Sequence, residues 1–424
     1  MKIIDKKVFL AEKSKSTTLD QQKTVRSRVE EIILTVREQG DNALIDYTKQ
    51  FDSVSLTDLK VSPQEIADAR KVVDDSFIRS LKQAQENITT FHEAQKQNSW
   101  FMGEQDNVYL GQKITPIERV GIYVPGGKAA YPSTVLMNVI PAKLAGVSSI
   151  SIVTPPQADG TVNPHVLVAA YESGVDTIYK VGGAQAIAAL AYGTESIPKV
   201  NKIVGPGNTY VAQAKRMVFG DVSIDMIAGP SEICVVADET ANPRFAAADL
   251  LSQAEHDEEA SAICITTSEA LAKAIHDEVV QQTTTLSRKE IIQSSLEKNG
   301  RMIVCTSLEE ALELVNQIAP EHLQLMINEP LNSLDSIRNA GAIFLGNYSP
   351  EALGDYFAGP NHTLPTNGTA AFASPLGVYD FVKKSSVIQY TQDALSSATD
   401  SIVTLAEAEG LTAHANAIKI RKEE

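Results

Sequence analysis

"GIYVPGGKAAYPSTVLMNVIPAKLAGVSSISIVTPP", residues 121–156, decides the fold. An unbroken apolar run, Gly121–Val124, ends in Pro-Gly-Gly, and apolar residues then recur at helical spacing as far as Gly146, a helix stop. A second apolar run, Ile150–Val153, ends in Pro-Pro. Strands that are apolar on both faces belong to a parallel sheet covered on both sides, and a strand–turn–helix–strand unit is its building block.

The same rhythm continues toward the C-terminus. "DTIYKVGG", "KVNKIVGPGN" and "DVSIDMIAGPSE" each run from a strand into a glycine turn, with helices between them. A second series starts near residue 232 with "ICVVADE", "SAICITT", "RMIVCTS", "LQLMI" and "AGAIFLG". Toward the N-terminus, residues 98–120 read as a short β-ribbon, and residues 20–97 as helices with Gly40 as a stop. The stretch from Tyr390 onward reads as helical. The expected fold is therefore α/β, with two Rossmann-like parallel domains, a helical N-terminal region and a small C-terminal helical tail. The expected boundaries are an N-terminal segment over 1–20, one domain over 121–231, another from 21–120 plus 232–378, and a tail over 379–424.

A chain of 424 residues exceeds what one hydrophobic core supports. Thirty-seven Lys+Arg against 53 Asp+Glu give a net charge of −16, which argues against nucleic acid or an anionic membrane surface as partner. The opening "MKIIDKKVFLAEKSKSTTLD" has no signal-peptide pattern, and no apolar run approaches the ~20 residues that span a bilayer. The cysteines, Cys234, Cys264 and Cys305, form no C-x-x-C pair, and Cys264 and Cys305 read as reduced core thiols. These features predict a cytoplasmic protein.

Four glycine turns, "VPGGKAAYPS", "VGGAQAIA", "VGPGNTY" and "AGPSE", carry or adjoin Tyr123, Gln185, Asn208 and Ser231. Such turns let a ligand approach the backbone, and the helix N-termini behind them attract phosphate at the carboxyl edge of a parallel sheet. Glycine also suits βα turns without any ligand, and no G-x-G-x-x-G is present, so both readings stay open. Among the seven histidines, His92, His165 and His276 read as surface residues, and His362 in "AGPNHTLPT" reads either way. Gln253 and His256 stand three apart in "DLLSQAEHDEE", on one helix face. His322 follows Pro320 in "IAPEHLQL", His414 follows Glu409 by five, and Asp355 lies in the Gly/Pro-rich loop "PEALGDYFAGPNH". One Gln, two His and one Asp make a ligand set suited to zinc, although nothing in their spacing forces them to meet.

These blocks, with "VGGAQAIAALAYGT", "KIVGPGNTYVAQAKR", "DMIAGPSEICVVAD", "ADLLSQAEHDEEASA" and "AEGLTAHANAI", together resemble the histidinol dehydrogenases, in order and over nearly the whole chain. The resemblance implies an aldehyde-dehydrogenase-like pair of domains, with 121–231 binding the nucleotide and 21–120 plus 232–378 carrying the catalytic and zinc residues. It also implies an NAD-dependent homodimer with one zinc per subunit, oxidising L-histidinol through L-histidinal to L-histidine at the end of histidine biosynthesis. The zinc ligands carried over are Gln253, His256, Asp355 and His414, and the acid/base pair is Glu321 and His322. Ser231 and Glu409 match substrate contacts, as do Gln253, His256, His322, Asp355 and His414. Tyr123, Gln185 and Asn208 match nucleotide contacts. The tail would then reach the partner subunit's site. Cys234 competes as a thiohemiacetal nucleophile, but "SEICVVAD" reads as a strand interior.

Overall fold

The computed structural model describes residues 1–13, 19–103, 107–126 and 130–422; residues 127–129 of the first glycine turn lie outside the described residues. The opening stretch forms β4 (Arg119–Tyr123), the helix Pro132–Ala145 and β5 (Ser149–Thr154). With β6 (Thr177–Lys180), β7 (Lys202–Val204) and β8 (Ser223–Ile224) they make a parallel sheet in the order β6-β5-β4-β7-β8. The second sheet, also parallel, contains β1 (Lys2–Asp5), β9 (Glu232–Ala237), β10 (Ser261–Thr266), β11 (Arg301–Val304), β12 (His322–Met326) and β13 (Ala342–Leu345). Its order is β1-β11-β10-β9-β12-β13. Each sheet reverses its strand order beside its first crossover strand, next to β4 in one and next to β9 in the other.

Three features differ from the sequence expectation. The N-terminal segment supplies β1, an edge strand paired with β11. The helices between residues 19 and 93, expected to join 232–378, pack on the five-stranded sheet instead. Val29, Ile32, Val36 and Leu44 share a core with Ile187 and Leu190 of the helix Gly183–Tyr192, while Leu81 and Ile88 pack with Met137 and Val168. Gly183–Tyr192 is apolar nearly all round, so it needs cover on the side facing away from its sheet. Residues 59–61 add to the β6 edge, with Lys180 N–H donating to Leu59 and Val61 N–H to Ile178.

The third difference is the tail, which begins with a strand. β14 (Val382–Tyr390) pairs antiparallel with β3 (Val108–Pro116), which also pairs with β2 (Trp100–Met102). Only then come the helices Gln392–Ala408 and Thr412–Lys422, packed on each other. His92 is fully buried rather than solvated, its Nδ1 donating to the Ile88 carbonyl. No helix among the described residues is long and apolar enough to cross a membrane.

Candidate active site

The site forms around Glu232, the first residue of β9. The helix Leu308–Ile318 stops at Ala319, whose φ of 50° turns the chain, and Pro320 then leads to Glu321 and to His322 at the start of β12. Glu321 Oε2 accepts the Glu232 N–H at 2.8 Å, and His322 Nδ1 donates to the Glu232 carbonyl at 3.0 Å. Adjacent strand residues point to opposite faces, but Glu321 precedes the strand, so both side chains converge on one backbone unit. Their closest N···O approach is 3.7 Å. Because the carbonyl needs a donor, Nδ1 carries the proton in neutral His322, which leaves Nε2 as the free base. That Nε2 is buried with no hydrogen-bond partner.

Asp355, expected in a loop, lies on the short helix Glu351–Tyr356. One turn earlier on the same face is Glu351, 2% exposed, with Oε1 3.9 Å from His322 Nδ1. Asp355 Oδ1 lies 3.7 Å from His322 Nε2, beyond hydrogen-bond range. On the other side, the helix Pro243–Ala254 ends one residue after Gln253, and His256 lies just past it. His256 N–H donates to the Gln253 carbonyl, so the turn continues and the shared face persists. One ligand atom each from His256, Glu351 and Asp355 lie within 4.8 Å of one another. Gln253 is fully buried, and neither atom of its amide has a partner. An orphaned buried amide one helical turn before the His256 of this cluster is costly unless something satisfies it. The donor set fits a divalent metal with N and O ligands.

Burial dominates the charges here. It pushes Glu321 up to about 8 and Glu351 up to about 7, and it lowers His256. Burial also disfavours charge on His322, but Glu351, Glu321 and Asp355 outweigh it and raise the imidazole well above its ordinary value; a cation held by Glu351 and Asp355 would offset those carboxylates and return Nε2 to its free-base form.

The structure brings Gln253, His256, Glu321, His322 and Asp355 to this region. Glu409 and His414 do not join them; both are exposed on the tail. Ser231 lines the cleft between the sheets together with Glu321, Gly205 and His362. His362 spans it, donating from Nδ1 to the Asp355 carbonyl, with Nε2 3.3 Å from Thr134 Oγ1. Of the expected nucleotide residues, Tyr123 and Gln185 are buried, and Tyr123 Oη accepts the Gly183 N–H at 3.0 Å. Asn208 is exposed and caps the helix Thr209–Val218, accepting from Tyr210 and Val211. The turns converge closely: a Cβ added at Gly126 or Gly182 would come within 2.6 Å of Pro155. Such a glycine-lined, capped carboxyl edge fits a dinucleotide. Cys234 is fully buried inside β9.

Glu351 escaped the sequence reading, although its spacing of four from Asp355 in "EALGD" was a signal for a shared helical face. The position of the cleft was less accessible. It lies between the carboxyl edge of the first sheet and the amino edge of the second, where β9 and β12 begin.

Two parallel α/β units meet at a buried acid–imidazole cluster, and the family that the chain matches makes it an oxidoreductase. A propionaldehyde dehydrogenase from Rhodopseudomonas palustris shares the fold, with a TM-score of 0.50 at 13% identity over 86% of this chain and 92% of that one. The chain belongs to the histidinol dehydrogenase family, whose model matches residues 15–422. It is 60% identical to histidinol dehydrogenase of Bacillus cereus, over 95% of this chain and 94% of that protein. It is 58% identical to that of Oceanobacillus iheyensis, over 97% and 96%. The crystal structure of histidinol dehydrogenase from Elizabethkingia anophelis matches with a TM-score of 0.90 and 42% identity, over 96% and 97% of the two chains.

Proposed function

We propose that this chain oxidises L-histidinol through L-histidinal to L-histidine, the last steps of histidine biosynthesis, as a cytoplasmic homodimer that uses NAD and one zinc per subunit. The observation that carries the reading is the Glu321–His322 pair gripping Glu232 beside the unpartnered Gln253 amide, His256 and Asp355. Zinc would be held by Gln253, His256, Asp355 and His414 of a second copy, and would supply a template that grips and orients the substrate's nitrogen donors. NAD, accepting hydride, would lie over the glycine turns, near Tyr123, Gln185 and Asn208.

The proton chemistry falls to this chain's own residues. His322 Nε2 takes the alcohol proton in the first oxidation, while its Nδ1–H stays fixed on Glu232. Glu321, next to it and held in place by the Glu232 N–H, activates the water that hydrates the aldehyde. His322 returns its first proton to the aldehyde oxygen as the water adds, which frees Nε2 to take the hydrate's hydroxyl proton while hydride passes to a second NAD. Ser231 and, from the second copy, Glu409 contact the substrate. The test is NADH formation, followed by absorbance, on adding L-histidinol and NAD to zinc-loaded protein. Two NADH per histidinol is expected, and no NADH would overturn the reading.

A further inference from the structure

Away from the acid–imidazole cluster, Lys215 and Asp225 form an ion pair whose side chains are 2% and 1% exposed. Their remaining bonds converge on one glycine. Lys215 Nζ donates to the Gly205 carbonyl at 3.0 Å, and Asp225 Oδ2 accepts the Gly205 N–H at 2.8 Å. Asp225 Oδ1 also accepts the Met226 N–H at 2.6 Å. Both polar groups of Gly205 are therefore held by buried charges where the β7–β8 ladder runs out: Asp225 N–H still reaches Ile203, and the carboxylate takes the next bond.

What this pair holds is functional ground. Gly205, at φ +107° and with no room for a Cβ (2.1 Å from the Tyr123 carbonyl), opens the turn that ends at Asn208. Asp225 opens the segment 225–231, which crosses from the first sheet to the second and ends at Ser231. Both line the cleft that Glu321 enters. A buried ion pair is a poor source of net stability, since apolar replacements of the same shape are often neutral or better. What two charges gripping one backbone unit supply is position.

We propose that Lys215 and Asp225 are positioning residues for dinucleotide binding, a buried clamp that sets the Gly205–Asn208 turn and ties it to the Ser231 segment. This rests on the nucleotide reading above. The test uses zinc-loaded, full-length protein and the double variant Lys215→Met/Asp225→Asn, which removes both charges together. Calorimetric titration with NAD and, separately, with L-histidinol is read beside steady-state kinetics and a melting curve. Kd and KM for NAD should rise at least about tenfold. Histidinol affinity and kcat at saturating NAD should change by a smaller factor than Kd for NAD does, because the Gly205–Asn208 turn is held by both charges and Ser231 only through the intervening segment; an equal or larger loss there would overturn the assignment to dinucleotide binding. If that variant does not fold, Lys215→Gln/Asp225→Asn, which keeps a neutral donor and acceptor, replaces it; Kd for NAD should then rise by a smaller factor, about threefold or more, and no rise overturns the clamp. Wild-type protein that binds no NAD overturns the nucleotide reading and the clamp with it. Wild-type binding with unchanged variant binding overturns the clamp alone.

Discussion

His322 has its Nδ1 proton committed to the Glu232 carbonyl and its Nε2 unbonded, which is the arrangement of a general base rather than of a core histidine. His322→Asn should therefore leave zinc content and histidinol binding in place while kcat falls by about 10²–10⁴. Unchanged turnover would remove His322 from the chemistry. His256→Asn should act on the metal instead, weakening zinc affinity by more than the roughly 10–100-fold that loss of a mere outer-shell partner costs. Metal analysis after dialysis checks it, and a full zinc complement would exclude His256 as ligand. At this scale most of the site was legible through the resemblance alone, because Gln253, His256, Glu321 and Asp355 sit in unbroken motifs. Their convergence was not legible, since it depends on how three separate elements meet. Glu351 was missed because a buried carboxylate looks like a solvated one until its helix is placed against Ser252 and His322.

The elements themselves were readable where burial writes a pattern. Strands covered on both faces are continuous apolar runs, so β4, β5, β9, β10 and β12 announced themselves. β1 and β14 did not, because an edge strand or a ribbon alternates weakly and takes its identity from a distant partner. The amino-edge site was also out of reach, since general rules for parallel sheets point to the carboxyl edge. That edge is held by a junction between β12 and β13: Gly341 N–H donates to Pro320 and Ala342 N–H to Glu321. A Cβ at Gly341 would lie 2.5 Å from the Glu321 carbonyl oxygen and 3.2 Å from Pro365. Gly341→Ala should force the two strand starts apart, costing about 1–3 kcal/mol. Because Glu321 and His322 sit on that junction, kcat should fall at temperatures where the variant is still fully folded. A variant that melts earlier yet turns over normally below its transition would mean that the junction supports stability alone.

In the whole molecule, the helices of residues 19–93 wrap the five-stranded sheet, while the tail projects from the ribbon of β3 and β14. That end of the molecule leaves large apolar side chains in solvent: Met102 is 59% exposed, Ile388 71% and Leu405 68%. Exposed apolar residues of this kind mark an interaction surface, and the two packed helices that follow β14 carry Glu409 and His414, both exposed. On the proposed reading, in which His414 is a zinc ligand, a second copy would complete the zinc site. Exchange of the tail makes a quantitative prediction for mixed dimers of His414→Asn and His256→Asn chains. One hybrid site combines an intact His256 with the intact His414 of the other chain, and the second site carries both defects. Verified heterodimers should thus recover about half of the wild-type activity per dimer, although each parent homodimer is nearly inactive. If each site were built within one chain, both sites of the heterodimer would stay defective and no activity would return.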